Sequence, residues 1–225
     1  MISIISPIYN EAENLEELCR RVVVALDSIQ EEFEFILVEN GSSDSSLEII
    51  KKLREKEHRI KYVSLSRNFG HQGGIVAGLA NATGDAVISL DGDLQHPPEL
   101  IPNLVGLWKK GYEVVYTTKK LNKYASDWRY FPSRIFYKLI SSISDVNLAY
   151  GQTDYRLLDR KVVNVLIQIP ERNKFLRGMV KWVGFSQIGV EYEVAQRKRG
   201  QSKFSIWNNI SFAHDGIFSF STVPL

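Results

Sequence analysis

Cysteine is almost missing from this chain. Cys19 stands alone among 225 residues, so no internal disulfide can form and a cysteine-based zinc site is disfavoured. Long apolar runs are missing too. No stretch of 18 or more apolar residues occurs, so nothing in the sequence as it stands reads as a membrane-spanning helix. The opening MISIISPIYNEAENL has no basic segment ahead of an apolar core, so it does not read as a secretory signal and cytoplasmic chemistry is expected. The Asn-x-Ser/Thr triplets at Asn40, Asn81 and Asn209 carry no meaning without secretion. Several catalytic signatures are absent as well. There is no G-x-G-x-x-G after the first strand, no H-E-x-x-H, no G-x-S-x-G and no C-x-x-C. Gly106 and Gly111 have phosphate-loop spacing, but Tyr112 follows where a lysine is needed.

What remains is an ordinary globular composition, 44% hydrophobic and 24% charged, enough for one large domain or one domain with a small appendage. The net charge of +2 hides an asymmetry. Residues 1–112 hold 11 basic and 17 acidic residues, whereas residues 113–225 hold 17 and 9. Carboxylates in the first half suit a metal ion. Cations in the second suit phosphates or a membrane surface, although a solvated surface of uneven charge fits the count equally.

Apolar runs and helical periodicity alternate through the first 117 residues. Ile2–Ser6, Phe35–Val38, Ile60–Leu65, Ala86–Leu90 and Glu113–Thr117 read as strands. Leu15, Leu18, Val22, Leu26 and Ile29 recur at helical spacing, and further helices are expected over Gly73–Ala82 and Pro98–Lys110. Such alternation predicts an α/β fold with a mostly parallel sheet, whose ligands bind at the carboxyl ends of the strands. The second half is less regular. TDYRLLDRKVVNVLIQI reads as a strand running into a helix, QRKRGQSK as a basic loop, and the last 22 residues as an apolar helix.

The segments after the strands hold the candidate chemistry. In extended backbone, residues i and i+2 share a side, so Asp91 and Asp93 aim at one point, joined by Gln95 if the chain stays extended. Gly92 between them lets a ligand approach. Two carboxylates repel an anionic substrate unless a divalent cation intervenes, and Mg²⁺ or Mn²⁺ fits because it completes its shell with phosphate oxygens and water. The bland alternative is a polar turn. After the first strand, Pro7 stiffens the exit, Tyr9 offers a ring for a base, and Asn10 and Glu11 offer hydrogen bonds. After the second, Glu39 and Asn40 sit where a base or ribose meets the sheet edge, and Ser42, Ser43 or Asp44 suit a helix cap. After the third, Arg67 suits a phosphate, Gly70, Gly73 and Gly74 permit close approach, and His71 reads as a hydrogen-bonding loop residue rather than a metal ligand.

Taken together, SPIYNE (6–11), LVENGSSD (37–44), LSRNFGHQ (65–72), LDGDLQHPPEL (90–100), TDYRLLDR (153–160), FLRGMVKWVGF (175–185) and RKRGQSKF (197–204) resemble family 2 glycosyltransferases. More narrowly they resemble the polyprenyl-phosphate group, with DGDLQHPPE and the downstream RGQSKF the most specific segments. The resemblance implies a GT-A fold, a nucleotide-sugar donor, Mg²⁺ or Mn²⁺, and inversion at the anomeric carbon. By position it places Pro7, Tyr9, Glu11, Glu39, Arg67, Asp91 and Gly92 at the donor nucleotide, and Asp91, Asp93 and Gln95 at the metal. It makes Asp154 and Asp93 catalytic, and it sets Arg129, Arg134, Arg197 and Lys203 against the acceptor phosphate. Glu39 and Asn40 depart from the two aspartates usual in the family, which leaves the base open. A UDP-sugar is favoured over a GDP-sugar.

The resemblance further implies a catalytic domain over 1–203 (a nucleotide-sugar half, 1–117, and an acceptor half, 118–203) and an amphipathic, membrane-proximal helix over 204–225. Polyprenyl phosphate, a membrane surface and self-association are the expected partners, with no nucleic acid. The expected place of work is the cytoplasmic face of the membrane, in cell-envelope glycan assembly. A sugar hydroxyl acceptor would need a general base, whereas a lipid monophosphate would leave Asp154 to orient the acceptor or to stabilise charge developing on the sugar. Transfer to a glycan hydroxyl, and a non-catalytic nucleotide-sugar or membrane-binding module, are the alternatives.

Overall fold

The computed structural model describes residues 1–120, 151–171 and 175–193. The first half alternates as its periodicity requires: β1 (Ile2–Ile8), α1 (Leu15–Asp27), β2 (Phe33–Glu39), α2 (Ser46–Lys56), β3 (Ile60–Ser64), α3 (Gly70–Asn81) and β4 (Ala86–Ser89). A 3₁₀ turn at Pro98–Leu100 leads into α4 (Ile101–Lys109) and then β5 (Val114–Lys119). The second half contributes β6 (Gln152–Asp159), α5 (Arg160–Gln168), α6 (Leu176–Trp182) and β7 (Gln187–Tyr192).

The seven described strands form one sheet in the order β3-β2-β1-β4-β6-β5-β7. Strands β3, β2, β1 and β4 run parallel, β6 runs antiparallel to both β4 and β5, and β7 returns parallel to β5. The expected α/β fold with a mostly parallel sheet is therefore present. Every residue of β2 is buried, as suits a strand covered on both faces. One face carries Ile4, Phe35, Ile88 and Leu157 against α1 and α4, and the other carries Ile5, Ile36, Val87 and Leu158 against α3, α5 and α6. The expected division at 117/118 falls inside β5, and the later strands complete the same sheet. The amphipathic segment 204–225 lies outside the described residues.

Helix α1 shows how the pattern works. Leu15, Leu18, Cys19, Val22, Ala25 and Leu26 recur at three- and four-residue steps and are all buried. In the chain order β1–β2–β3, strands build outward on one side of β1, and β4 then pairs on its other side. That reversal makes a switch point between the carboxyl ends of β1 and β4, where open α/β sheets leave a crevice.

Candidate active site

Four strand-end segments meet at that crevice. Two glycines let them close around Pro7. A Cβ on Gly74 of α3 would lie 2.8 Å from Pro7 Cβ, and one on Gly92 would lie 2.7 Å from Ile8 Cδ1 and 3.6 Å from Glu11 Cγ. The turns after β1 and β2 then interlock through side chains. Asn10 Oδ1 accepts from the Ser43 amide at 2.8 Å, the Asn10 amide donates to Ser42 Oγ at 3.1 Å, and the Glu11 amide donates to Ser46 Oγ at 3.1 Å. Asp44 bridges the two turns, its oxygens accepting from the Ala12 and Ser46 amides. Asn40 is buried and braces the third segment: it accepts from the Phe69 amide and donates to the Gly70 carbonyl, both at 3.0 Å. Glu39 is buried too, and its two oxygens accept from the Ser42 amide and the Ser64 hydroxyl. Tyr9 stays partly exposed at the rim. Arg67 lies over the Phe69 ring, 4.1 Å from its centroid.

Beyond β4 the chain does not stay extended. The strand stops at Ser89, residues 92 and 93 turn, Leu94 takes φ 60°, and the Gln95 amide donates to Asp93 Oδ1 at 3.1 Å. The shared strand side expected for Asp91, Asp93 and Gln95 is therefore wrong, because the Asp93 side chain folds the backbone into a turn. Asp91 lies between two histidines. His96 Nε2 is 2.8 Å from its Oδ2, and His71 Nε2 is 3.3 Å from its Oδ1. Burial alone would raise the Asp91 carboxyl, but the two histidines hold it at about 2.

His71 is not a loop residue. It is the second residue of α3, and its Nε2 also lies 3.7 Å from Asp154 Oδ2. Burial pulls its pKa down, yet the charges of Asp91 and Asp154 prevail and raise it to about 9.

Asp154 is almost fully buried on β6. Arg177 of α6 grips both its oxygens, Nε to Oδ1 at 3.0 Å and Nη2 to Oδ2 at 2.8 Å. Arg156 Nη2 reaches Oδ1 at 3.3 Å and Gln72 Nε2 reaches Oδ2 at 3.1 Å. Ile75, Leu79, Leu176 and Val180 wall an apolar crevice beside Asp154 and Arg156. Burial should lift the carboxyl, but the two arginines and His71 hold it well below the usual carboxylate range. Gln72 also accepts from the Leu176 amide at 3.3 Å, which ties the start of α6 to this cluster.

Thus Pro7, Tyr9, Glu11, Glu39, Arg67, Asp91, Gly92, Asp93, Gln95 and Asp154 all lie on segments leaving the carboxyl edge of the parallel strands or on the strand beside it. Arg129, Arg134, Arg197 and Lys203 lie outside the described residues. Sequence reasoning missed Arg156, Arg177, Gln72 and His96. Arg156 carried a usable signal, since it stands two residues from Asp154 in a strand. The others lie within the segments that carry the resemblance, but their contacts in the site span 5 to 82 residues in sequence, so their spacing does not show which group each one meets.

The donor set suits a small divalent ion. It offers the carboxylates of Asp91, held ionised, and Asp93. No group of three or more histidine, cysteine or acidic side chains able to hold a metal occurs among the described residues. Two carboxylates brought to one ion would supply part of a coordination shell and leave the rest to phosphate and water, as Mg²⁺ and Mn²⁺ prefer.

Residues 3–167 match the family model for glycosyl transferase family 2. An uncharacterized glycosyltransferase of Synechocystis is 42% identical over 224 residues, spanning all of this chain and 70% of that protein. A bactoprenol glucosyl transferase of Shigella phage SfV is 36% identical over 231 residues, spanning all of this chain and 73% of that protein. Among solved structures, glucosyl-3-phosphoglycerate synthase from Mycobacterium tuberculosis, in complex with Mn²⁺, UDP and phosphoglyceric acid, aligns with TM-score 0.62. That likeness covers 95% of this chain and 75% of the other at 18% identity. A mannosyltransferase from Pyrobaculum calidifontis, in complex with GDP-Man and Mn²⁺, aligns with TM-score 0.60 at 19% identity, covering 88% of this chain and 58% of the other. Both show the GT-A-like fold. Among the described residues, no helix is long and apolar enough to cross a membrane.

Proposed function

This chain belongs to glycosyl transferase family 2 and is a glycosyltransferase, and from that premise we propose that it transfers a sugar from a nucleotide-sugar, a UDP-sugar in the first instance, to polyprenyl phosphate with inversion. The observation that carries the acceptor is the state of Asp154. A glycan hydroxyl needs a general base near neutral pKa. Asp154 is buried, gripped by Arg177 and held far below that range. A phosphate acceptor needs no base, because its second pKa is about 6 and it arrives as a nucleophile. The bactoprenol glucosyl transferases among the relatives support the same choice.

In this reading an acceptor phosphate oxygen bonds to the anomeric carbon as the bond from that carbon to the diphosphate breaks, and no proton moves. Asp91, Asp93 and Gln95 would hold a Mg²⁺ or Mn²⁺ ion, which when bound supplies Lewis-acid neutralisation of the departing diphosphate. Pro7 and Tyr9 line the nucleoside end, with Tyr9 stacking on the base, and Glu11 and Gly92 close that pocket. Glu39 shapes its floor through the turn it braces, and Arg67 lies toward the phosphates. Asp154 presents fixed negative charge to the sugar as it becomes cationic. Its arginines keep that charge ionised and in place. Arg129, Arg134, Arg197 and Lys203 lie outside the described residues, and only the resemblance assigns them to the acceptor phosphate.

The test is transfer from labelled UDP-glucose to undecaprenyl phosphate or to a glycan acceptor, with Mn²⁺, with Mg²⁺ and with excess chelator. Labelled lipid phosphate formed only with a metal is the expected result. Transfer to the glycan alone, or full transfer in chelator, would overturn the reading.

A further inference from the structure

One buried polar chain lies behind Asp91 and has no part in the proposed reaction. His96 is 3% exposed and Tyr192 is 5% exposed. Tyr192 is the last residue of β7, 96 positions from His96, and its hydroxyl lies 2.5 Å from His96 Nδ1. The other ring nitrogen, Nε2, lies 2.8 Å from Asp91 Oδ2. An ionised carboxylate only accepts, so Nε2 carries a hydrogen. Nδ1 and the Tyr192 hydroxyl then complete the chain on the far side of the ring.

Packing alone does not call for this arrangement. The rings of His96, Tyr155 and Tyr192 sit with centroids 5.5 to 6.3 Å apart, which phenylalanines would fill as well. Burying a hydroxyl and an imidazole costs free energy unless each is bonded, and here the bonds run in series to one carboxylate oxygen. Tyr155 strengthens the same loop, since its hydroxyl donates to the Pro97 carbonyl at 3.1 Å. Asp91 lies just past the end of β4, where a turn begins, so its own backbone does little to fix its side chain. The tether occupies Oδ2, while Oδ1 lies 3.3 Å from His71 Nε2, so Oδ1 is the oxygen that a cation would have to share with His71.

We propose that His96 and Tyr192 are positioning residues that fix the Asp91 carboxylate for a divalent cation, so that the end of β7 helps set metal affinity. The proposal rests on the metal-dependent reading above. Partners behind a ligating carboxylate are typically worth 10–100-fold in metal affinity.

The test measures free Mn²⁺ by electron paramagnetic resonance while the ion is titrated into the whole chain at saturating UDP. Three variants, His96→Phe, His96→Gln and Tyr192→Phe, are compared with the unaltered protein. His96→Phe is expected to weaken Mn²⁺ binding about 10–100-fold. Tyr192→Phe, which removes one oxygen and keeps the ring, weakens it less. His96→Gln, which can keep a donor near the Nε2 position, recovers most of the loss. UDP affinity without metal stays unchanged in all three. If His96→Phe fails to fold, the weaker binding expected of Tyr192→Phe still decides the matter. Folded His96→Phe or Tyr192→Phe with unaltered Mn²⁺ affinity would overturn the proposal. An unaltered protein that binds no Mn²⁺ beside UDP would instead overturn the metal reading.

Discussion

The two ends of the sheet each bury a carboxylate, and the contrast lies in what surrounds each one. Glu34 lies near the amino end of β2 and is almost fully buried. Its Oε1 accepts from Ser3 Oγ, the Thr83 amide and Thr83 Oγ1, and its Oε2 accepts from Lys61 Nζ. Burial would raise its pKa, but these donors bring it down to about 2. Asp154 is buried to a similar degree and is also held low. A depressed pKa therefore marks neither as functional. Their surroundings differ. Glu34 gathers strand and loop donors at the closed end of the sheet. Asp154 has two arginines of its own, His71, and through it Asp91 at the end where strands open onto a crevice.

The sharpest way to break the contrast is Asp91→Ala. It removes a proposed metal ligand, so transfer should fall by on the order of 10³, the scale of several kcal/mol of lost charge stabilisation, and Mn²⁺ binding should vanish in the same titration. Asp154→Asn should lower kcat by about 10² while leaving UDP affinity intact. Its melting temperature should drop too, since Arg156 and Arg177 lose their counter-charge. In the unaltered enzyme the rate should decline as pH falls through about 6, where the lipid phosphate takes up a proton. A limb near pH 4 instead would point to a carboxylate.

Glu34→Gln should reverse the pattern, with kcat retained and stability reduced by roughly 1–3 kcal/mol in denaturant unfolding. The sign of its pH dependence comes from the lowered pKa. The stabilisation is complete above the ordinary value of 4.5 and is lost as pH falls toward about 2, so the gap between Glu34→Gln and the unaltered protein should close across that window. Lys61→Met should do least. Its side chain is more than half exposed, so solvent screens the pair on that side and it contributes about 0–1 kcal/mol.

Much of the fold is legible in the sequence. Strand β6 running into α5 is readable in TDYRLLDRKVVNVLIQI because an apolar strand gives way to helical spacing at Arg160. Asp159 marks the change as an N-cap, accepting from the Lys161 amide. Helix α3 begins three residues before the start its pattern predicts, since Gly70 at φ 78° and the polar His71 and Gln72 after it give no apolar stripe. The active segments are legible because each lies directly beyond a strand end, which periodicity locates. Their partners are not. His71 reads as a loop residue in sequence yet belongs to α3. The turn at Asp93 escapes the pattern because one side-chain hydrogen bond outweighs a local preference for extended chain.

The sequence by itself determined the alternation of elements and the edge of the sheet where the candidate residues gather, because periodicity and turn chemistry are local. Only the tertiary structure decided the electrostatic state of those residues. The Asp154 carboxyl is held ionised because Arg177 and Gln72 reach it from helices 23 and 82 positions away. Asp91 is held in one orientation because β7 brings Tyr192 to His96. Charge interactions fall off with distance in space, and sequence separation does not record that distance.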